Sequence, residues 1–297
     1  MTSARKVTIS TLHALKRRGE KAVFVTAYDY ATATFADRAG VDMMLVGDSA
    51  GMTMMGLPNT LAVTIDDMMV FAKSVCRATT RAFVVGDMPF LSYQLSDDAA
   101  VANAGRFIVA GCDAVKCEGG VRVAARVKAM VDAGIAVMGH LGLTPQNLGQ
   151  LGGYRVQGKS RAACEALLHD ARALVEAGVF AILLEAMPAA AAAYVRDRLD
   201  DTVLVYGIGA GPQVDGQLVI AHDILGTFVG DIAPRFVTPY AQLGTEMEAV
   251  FSRYASAVRA GEFPAPEHCY PIDPLVEAEL QSLASAPHSN EIAIPCQ

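Results

Sequence analysis

The chain lacks the sequence features of several large protein classes. Its six cysteines include no C-x-x-C pair and its histidines no H-x-x-x-H spacing, so we expect reduced thiols, a cytoplasmic protein and no common zinc site. A formal net charge of -7 argues against a nucleic-acid-binding surface. The most apolar long stretch, residues 175–195, is interrupted by Glu176, Glu185 and Pro188, so we expect no membrane span.

Short apolar runs recur along the chain, each followed by a glycine-rich or polar loop and usually by a helical pattern. They begin near residues 22, 42, 82, 113, 136, 181, 203 and 216. Near-continuous runs of Val, Ile, Leu and Met are typical of strands buried on both faces of a parallel sheet. Eight such strands alternating with helices predict a single-domain (β/α)₈ TIM barrel, with a doubly wound open sheet as the alternative.

Capping signals support the intervening helices. Thr64 and Asp67 form a capping-box-like start, and Ser96 precedes a second helix. Gly134 and Gly178 follow two further helical patterns, as expected at helix C-termini. We expect the basic start, residues 1–21, to form a surface helix, residues 1–270 to form the barrel domain, and residues 271–297 to be a partly ordered extension. The glycine-rich loop at 141–160 is long enough to indicate a functional role.

Polar residues stand where the predicted strands end. They are Asp48, Asp87, Lys116, Glu118, His140 and Glu185. The carboxyl ends of all strands in a barrel meet at one mouth, where active sites form, so we expect these side chains to converge. Each residue also has a plain structural interpretation: an aspartate after a strand can cap a helix, a lysine can be a surface charge, and a histidine can belong to the core.

The predicted cluster contains more negative than positive charge. Asp48, Asp87 and Glu118 would repel one another without a cation, and oxygen ligands favour Mg²⁺, or else Mn²⁺. A 2-oxo acid could complete such a site through its keto and carboxylate oxygens, and polarisation by the metal would stabilise an enolate. From the residues alone, Glu185 is favoured as the base that removes a proton, with His140 as its competitor.

At this point eight strings resemble one known family in the same order. They are VTAYDY at 25, MLVGDSAGM at 44, GDMPFLSY at 86, AVKCEGG at 114, GHLGLTPQ at 139, GGYRVQG at 152, LLEAMP at 183, and GIGAG at 207 followed by DGQ and HD. The chain resembles the ketopantoate hydroxymethyltransferases over residues 7–270. The family's pattern is not kept at Ala62, Phe71 and Thr238, which bears on loop conformation and rate rather than on reaction class.

The resemblance implies a specific activity. Members of this family transfer a hydroxymethyl group from 5,10-methylenetetrahydrofolate to 3-methyl-2-oxobutanoate, use Mg²⁺, and serve pantothenate biosynthesis as homodecamers. By position in the motifs, Asp48 and Asp87 would bind the metal, with Glu118 as a further ligand, directly or through water. Asp48 and Asp87 would thereby also help to bind the oxo acid, together with Ser49, Lys116 and His140. Glu185 would transfer the proton.

Two other functions are compatible with parts of this pattern. The first is a lyase or hydrolase of the phosphoenolpyruvate mutase and isocitrate lyase superfamily, but the Lys-Lys-Cys-Gly-His string of isocitrate-lyase-type members is absent. The second is a non-catalytic paralogue that binds small acids or other proteins. The six intact polar residues at the strand ends argue against it.

Overall fold

Eight parallel strands close into a barrel in the computed structural model, which describes residues 5–230 and 234–285. The strands follow one another in chain order, and β1 pairs with β8. They are β1 Ala22–Thr26, β2 Met43–Val46, β3 Phe83–Asp87, β4 Ala114–Glu118, β5 Val137–Gly142, β6 Ala181–Glu185, β7 Leu204–Ile208 and β8 Gly216–Val219. Each strand lies within or beside a predicted apolar run. The predicted (β/α)₈ barrel is confirmed, and closure excludes the open sheet.

Twelve α-helices accompany the strands among the described residues. They are α1 Ile9–Arg17, α2 Tyr30–Arg38, α3 Ala50–Thr53, α4 Ile65–Ala78, α5 Asp97–Ala110, α6 Ala124–Asp132, α7 Leu148–Leu151, α8 Arg161–Glu176, α9 Ala189–Arg196, α10 Ala221–Leu225, α11 Leu243–Arg259 and α12 Pro274–Ser285. Three 3₁₀ turns cover Val121–Val123, Pro145–Asn147 and Pro266–His268. None of these helices combines the length and apolarity needed to cross a bilayer.

The predicted helix signals are confirmed by hydrogen bonds. Thr64 Oγ1 accepts from the N–H of Asp67 at 3.2 Å, while the Asp67 carboxylate accepts from the N–H of Thr64 at 2.9 Å. Ser96 caps α5 in the same way, accepting from the N–H of Ala99 at 3.1 Å. The predicted loop at 141–160 is less irregular than expected, because the turn Pro145–Asn147 and α7 lie within it.

Alternate residues of each strand pack into two different layers. One set fills the inside of the barrel and the other packs beneath the surrounding helices, as Met43 and Met44 of β2 illustrate. Both methionines are fully buried. Burial on both faces explains why the strands appear in the sequence as continuous apolar runs rather than as alternating patterns.

The chain divides into two compact units, residues 1–243 and 244–297. The first contains the whole barrel, and the domain boundary predicted at residue 270 stays a prediction. In the second, the rings of Tyr254 and Phe263 pack edge to face with centroids 5.4 Å apart. The extension predicted from residue 271 contains α12, and residues 286–297 lie outside the described part of the chain.

Candidate active site

The strand ends bring the predicted polar residues to one cavity of about 1090 Å³. Its lining includes every residue singled out in the sequence, namely Asp48, Ser49, Asp87, Lys116, Glu118, His140 and Glu185. Strand register explains the convergence, since Lys116 lies beside Asp87 on the neighbouring strand and Glu118 lies beside His140. The predicted placement is therefore confirmed, whereas the chemical roles stay predictions.

Lys116 and Asp87 form a buried ion pair, with Nζ 2.5 Å from Oδ1 and both side chains 3% exposed. Nζ also lies 3.6 Å from Oε1 of Glu118. Burial by itself would lower the pKa of Lys116, but the charges of Asp87, Glu118 and Asp48 raise it above its usual value. Lys116 is therefore a fixed positive charge at neutral pH rather than a base.

Within the charged cluster of Asp48, Asp87, Lys116 and Glu118, Asp48 is the acid with the least compensation. Its backbone N–H donates to Oδ2 of Asp87 at 3.2 Å, and its own Oδ2 accepts from Nε2 of Gln146 at 2.9 Å. Among the described residues no donor bonds to its other oxygen. Burial, and then repulsion by Asp87 and Glu118, raises the pKa of Asp48 well above its usual range. The site thus lacks positive charge beside Asp48.

His140 lies between two carboxylates. Its Nδ1 is 3.2 Å from Oε1 of Glu118, and its Nε2 is 3.0 Å from Oε2 of Glu185. The second pair is within ion-pair distance but does not meet the directional requirement of a hydrogen bond. Burial and Lys116 oppose protonation of the ring, yet the two glutamates outweigh them and raise the pKa of His140 to about 9. A protonated imidazole cannot accept a proton, which favours Glu185 over His140 as the base.

Gln146 is a site residue that the sequence interpretation did not identify. Its Nε2 donates to Asp48 Oδ2 and to the Met88 carbonyl, both at 2.9 Å, and its backbone N–H donates to Glu118 Oε2 at 2.9 Å. Tyr93 completes the network with its hydroxyl 2.9 Å from Oε1 of Gln146. Gln146 ends the string GHLGLTPQ, but an uncharged amide in a loop carries no signal of its own.

The side chain of Ser49 is positioned by a hydrogen bond with Tyr28. The two hydroxyl oxygens are 2.8 Å apart, and burial raises the pKa of Tyr28 to about 12. The ring of Phe71, where the chain departs from the family's pattern, packs edge-on against Tyr28 with centroids 6.4 Å apart. Ser49 therefore faces the cavity with an orientation set by an aromatic pair.

The donor set fits a magnesium ion centred on Asp48. Asp87 lies beside Asp48, and the uncompensated charge at Asp48 calls for a cation. Both oxygens of Asp87 and both oxygens of Glu118 already face a donor, so either acid would bind the ion by giving up one of these contacts or through a bridging water. Among the described residues no three His, Cys, Asp or Glu side chains converge as a ready metal cage. Mg²⁺ commonly uses one or two carboxylates and completes its shell with water and substrate.

An apolar wall forms the part of the cavity beyond the charged cluster. It consists of Met52, Leu57, Pro58, Tyr154, Phe228 and Phe236. Tyr154, in the loop after β5, places its hydroxyl 3.6 Å from Sδ of Met52, in the helix after β2. This contact spans the barrel mouth, so the long glycine-rich loop closes one side of the cavity.

Solved structures share this fold at low sequence identity. A phosphonopyruvate hydrolase, solved as a complex with oxalate and Mg²⁺, superposes with a TM-score of 0.59 at 13% identity, covering 94% of this chain and 96% of that one. A 2,3-dimethylmalate lyase of the phosphoenolpyruvate mutase and isocitrate lyase superfamily gives a TM-score of 0.55 at 17% identity, covering 93% and 95%. These likenesses establish the fold alone.

Sequence comparison is far more specific. The 3-methyl-2-oxobutanoate hydroxymethyltransferase of Moorella thermoacetica is 52% identical over 271 residues, 91% of this chain and 100% of that protein. The enzyme of the same name from Syntrophomonas wolfei is 51% identical over 268 residues, 90% and 96% of the two chains. The family model described as ketopantoate hydroxymethyltransferase matches residues 6–266. The chain therefore belongs to the ketopantoate hydroxymethyltransferase family.

Proposed function

We propose that this protein transfers a hydroxymethyl group from 5,10-methylenetetrahydrofolate to C3 of 3-methyl-2-oxobutanoate, giving 2-dehydropantoate and tetrahydrofolate. The observation that carries the proposal is the convergence of Asp48, Asp87, Lys116, His140 and Glu185 on one cavity wall, in a chain 52% identical to an enzyme of that name. The rest of the scheme follows from what these side chains can hold, orient or deprotonate.

Binding of the oxo acid depends on the positive side of the site. Asp48 and Asp87, with Glu118 directly or through water, would hold Mg²⁺, which would supply positive charge to the keto and carboxylate oxygens. The Lys116 ammonium adds a second fixed charge beside Asp87. Ser49, oriented by Tyr28, donates its hydroxyl to the substrate carboxylate. Negative charge that develops on the keto oxygen is thus stabilised by groups already in place.

Proton transfer falls to Glu185. Its side chain is 17% exposed and lines the cavity beside His140, so the carboxylate is accessible to a substrate bound there. Glu185 removes the single proton at C3, and the electron pair of that C–H bond delocalises onto the keto oxygen. C3 then forms a bond to the one-carbon unit of the folate, whose carbon–nitrogen bonds break. Water supplies the hydroxyl oxygen of the product, and the two folate nitrogens released by this cleavage take up one proton from that water and the proton held by Glu185.

The reaction is tested by proton NMR of the purified protein with 3-methyl-2-oxobutanoate, Mg²⁺ and 5,10-methylenetetrahydrofolate. We expect signals of 2-dehydropantoate that disappear when EDTA is added. A folded, metal-loaded protein that yields no product would contradict the proposal. Rapid cleavage of methylisocitrate or oxaloacetate would instead favour a lyase of the phosphoenolpyruvate mutase and isocitrate lyase superfamily.

We also propose that the protein works in the cytoplasm, in pantothenate biosynthesis, as a homo-oligomer and specifically a decamer. Neighbouring helices α2, α4 and α5 expose large apolar side chains, with Phe35 66%, Val70 68% and Val109 90% accessible. Exposed apolar residues on adjacent helices are typical of surfaces covered by another subunit. Light scattering coupled to gel filtration measures the assembly mass, and a monomer at micromolar concentration would contradict the oligomer.

A further inference from the structure

The cavity is larger than the oxo acid requires. Cavities of roughly 300–1,000 Å³ hold ligands of drug size, and this one measures about 1090 Å³. A five-carbon acid placed among Asp48, Lys116 and His140 would leave the apolar wall uncovered. The remaining space therefore suits a second and larger ligand, which is flat and apolar over much of its surface.

Asp223 is the one acid in the cavity lining that has no partner among the described residues. It belongs to α10, directly after β8, and no hydrogen bond or ion pair reaches its carboxylate. The four other acids in the lining, Asp48, Asp87, Glu118 and Glu185, each contact a donor or cation. Burial alone raises the pKa of Asp223, and no charged group contributes. A half-buried carboxylate without a protein partner is available to a ligand that supplies donors.

Three further groups in the lining lack partners in the described part of the chain. The hydroxyl of Thr60 is buried without a hydrogen bond, and Thr60 is 2% exposed. Arg155, beside Tyr154, and Arg235, beside Phe236, line the same cavity, and neither pairs with an acid. The cavity thus presents an unpaired acceptor, an unpaired hydroxyl and two unpaired cations in addition to the charged cluster.

Phe236 adds a flat surface to this part of the cavity. Its ring lies so close to the backbone of Gly209 that a Cβ at that position would overlap it, and Gly209 has a φ of +62°. A glycine is therefore required for the ring to lie against the end of β7. A heteroaromatic ring can stack on such a surface while its edge faces a carboxylate.

We infer that Asp223 binds the 2-amino-4-oxopyrimidine edge of the reduced folate, and that Arg155 binds its carboxylate tail. The inference rests on the proposed function. That ring edge offers an amino N–H and a ring N–H side by side, which match the two oxygens of a carboxylate in a paired hydrogen bond. The guanidinium of Arg155 matches the anionic glutamate at the other end of the molecule.

The first test uses Asp223→Asn, which keeps the size of the side chain but removes its charge and one acceptor. We expect the KM for 5,10-methylenetetrahydrofolate to rise at least tenfold, while the KM for 3-methyl-2-oxobutanoate changes less than twofold. The matched control is Asp132→Asn, an exposed acid paired with Lys128, and it should leave both KM values unchanged. An unchanged folate KM in Asp223→Asn would overturn the assignment.

A second test uses the unaltered protein and is independent of how the variant folds. Calorimetry compares tetrahydrofolate with its 2-desamino analogue, which lacks the donor opposite Asp223. We expect the analogue to bind the wild-type protein at least tenfold more weakly, and equal affinities would overturn the inference. Deuterium exchange at C3 of the oxo acid without folate is measured in parallel. If that exchange is absent, the proposed function fails. If exchange occurs but tetrahydrofolate and its analogue bind with equal affinity, only the role assigned to Asp223 is overturned.

Discussion

Gln146 donates a hydrogen bond of 2.9 Å to the carboxylate of Asp48, a residue 98 positions earlier in the chain. Its backbone N–H also donates to Glu118, so one residue of the loop after β5 links the acid that follows β2 to the acid that ends β4. Hydrogen bonds of this kind orient metal ligands from outside the coordination shell. The glycine-rich loop thus positions two of the proposed metal ligands as well as closing one side of the cavity.

Replacing Gln146 by Met should weaken Mg²⁺ binding by about 10–100-fold, the usual effect of losing such a contact. Methionine keeps the length of the side chain but cannot donate to Asp48. Isothermal titration with Mg²⁺ in the presence of the oxo acid gives the affinity. Gln150→Met is the matched control, because Gln150 lies in the same loop and, among the described residues, its side chain hydrogen-bonds only to the exposed Arg122. An equal loss of Mg²⁺ affinity in the two variants would show that the hydrogen bond from Gln146 to Asp48 does not support metal binding.

Asp87→Ala should abolish Mg²⁺-dependent binding of 3-methyl-2-oxobutanoate, because it removes a proposed ligand. It should also destabilise the protein by roughly 3–5 kcal/mol, since Lys116 would remain buried without its closest carboxylate. Calorimetry measures the binding and urea unfolding measures the stability. Retention of Mg²⁺-dependent affinity by the folded variant would contradict the assignment of Asp87 as a ligand.

Glu185→Gln should retain binding of the oxo acid but slow the exchange of its C3 proton by about 10²–10⁴-fold, as expected for loss of a general base. Proton NMR in D₂O follows the exchange directly and requires no folate. His140→Asn is the informative comparison, because His140 contacts both Glu118 and Glu185. Normal exchange in Glu185→Gln, with exchange lost in His140→Asn, would identify the histidine as the base instead.

Asp37→Asn should destabilise the barrel by about 2–3 kcal/mol at pH 7, because hydrogen bonds to a charged group are the strong ones. Asp37, in the last turn of α2, accepts from the N–H groups of Thr80, Arg81 and Ala82, at 2.7 Å for Ala82. The matched control is Asp66→Asn, at an exposed acid, which should change stability by less than about 0.5 kcal/mol. Urea midpoints at neutral pH measure both.

The contribution of Asp37 to the stability of the folded state should depend on pH. Burial would raise the pKa of Asp37, but its hydrogen bonds to Ala82, Thr80 and Arg81 outweigh burial and hold it below the ordinary value of 3.8. A carboxyl group whose pKa is lower in the folded than in the unfolded state stabilises the fold at pH values above its unfolded-state pKa. This stabilisation is lost as the pH falls through its folded-state pKa. The difference between wild type and Asp37→Asn should therefore be constant from pH 7 to 5 and shrink below 3.8. A difference that is unchanged at pH 3 would exclude this linkage.

Local sequence determined the strands, several helix ends and the residues at the mouth. A strand buried on both faces is expected to be apolar, so a charged residue such as Lys116 within β4 or Glu185 at the end of β6 is conspicuous. The (β/α)₈ order then requires those ends to meet. For the same reason Ser96 and Thr64 revealed helix starts, because a cap lies within a few residues of the groups it satisfies.

Tertiary structure alone decided how the site residues pair. Lys116 bonds to Asp87 rather than to Glu118, and His140 lies between two glutamates, because strand register and rotamers select partners that sequence order does not. Gln146 and Asp223 carry no local signal, since an amide in a loop or an acid after a strand is common anywhere. Gln146 matters because its side chain hydrogen-bonds to the buried carboxylate of Asp48. Asp223 matters because no donor in the described part of the chain bonds to its carboxylate.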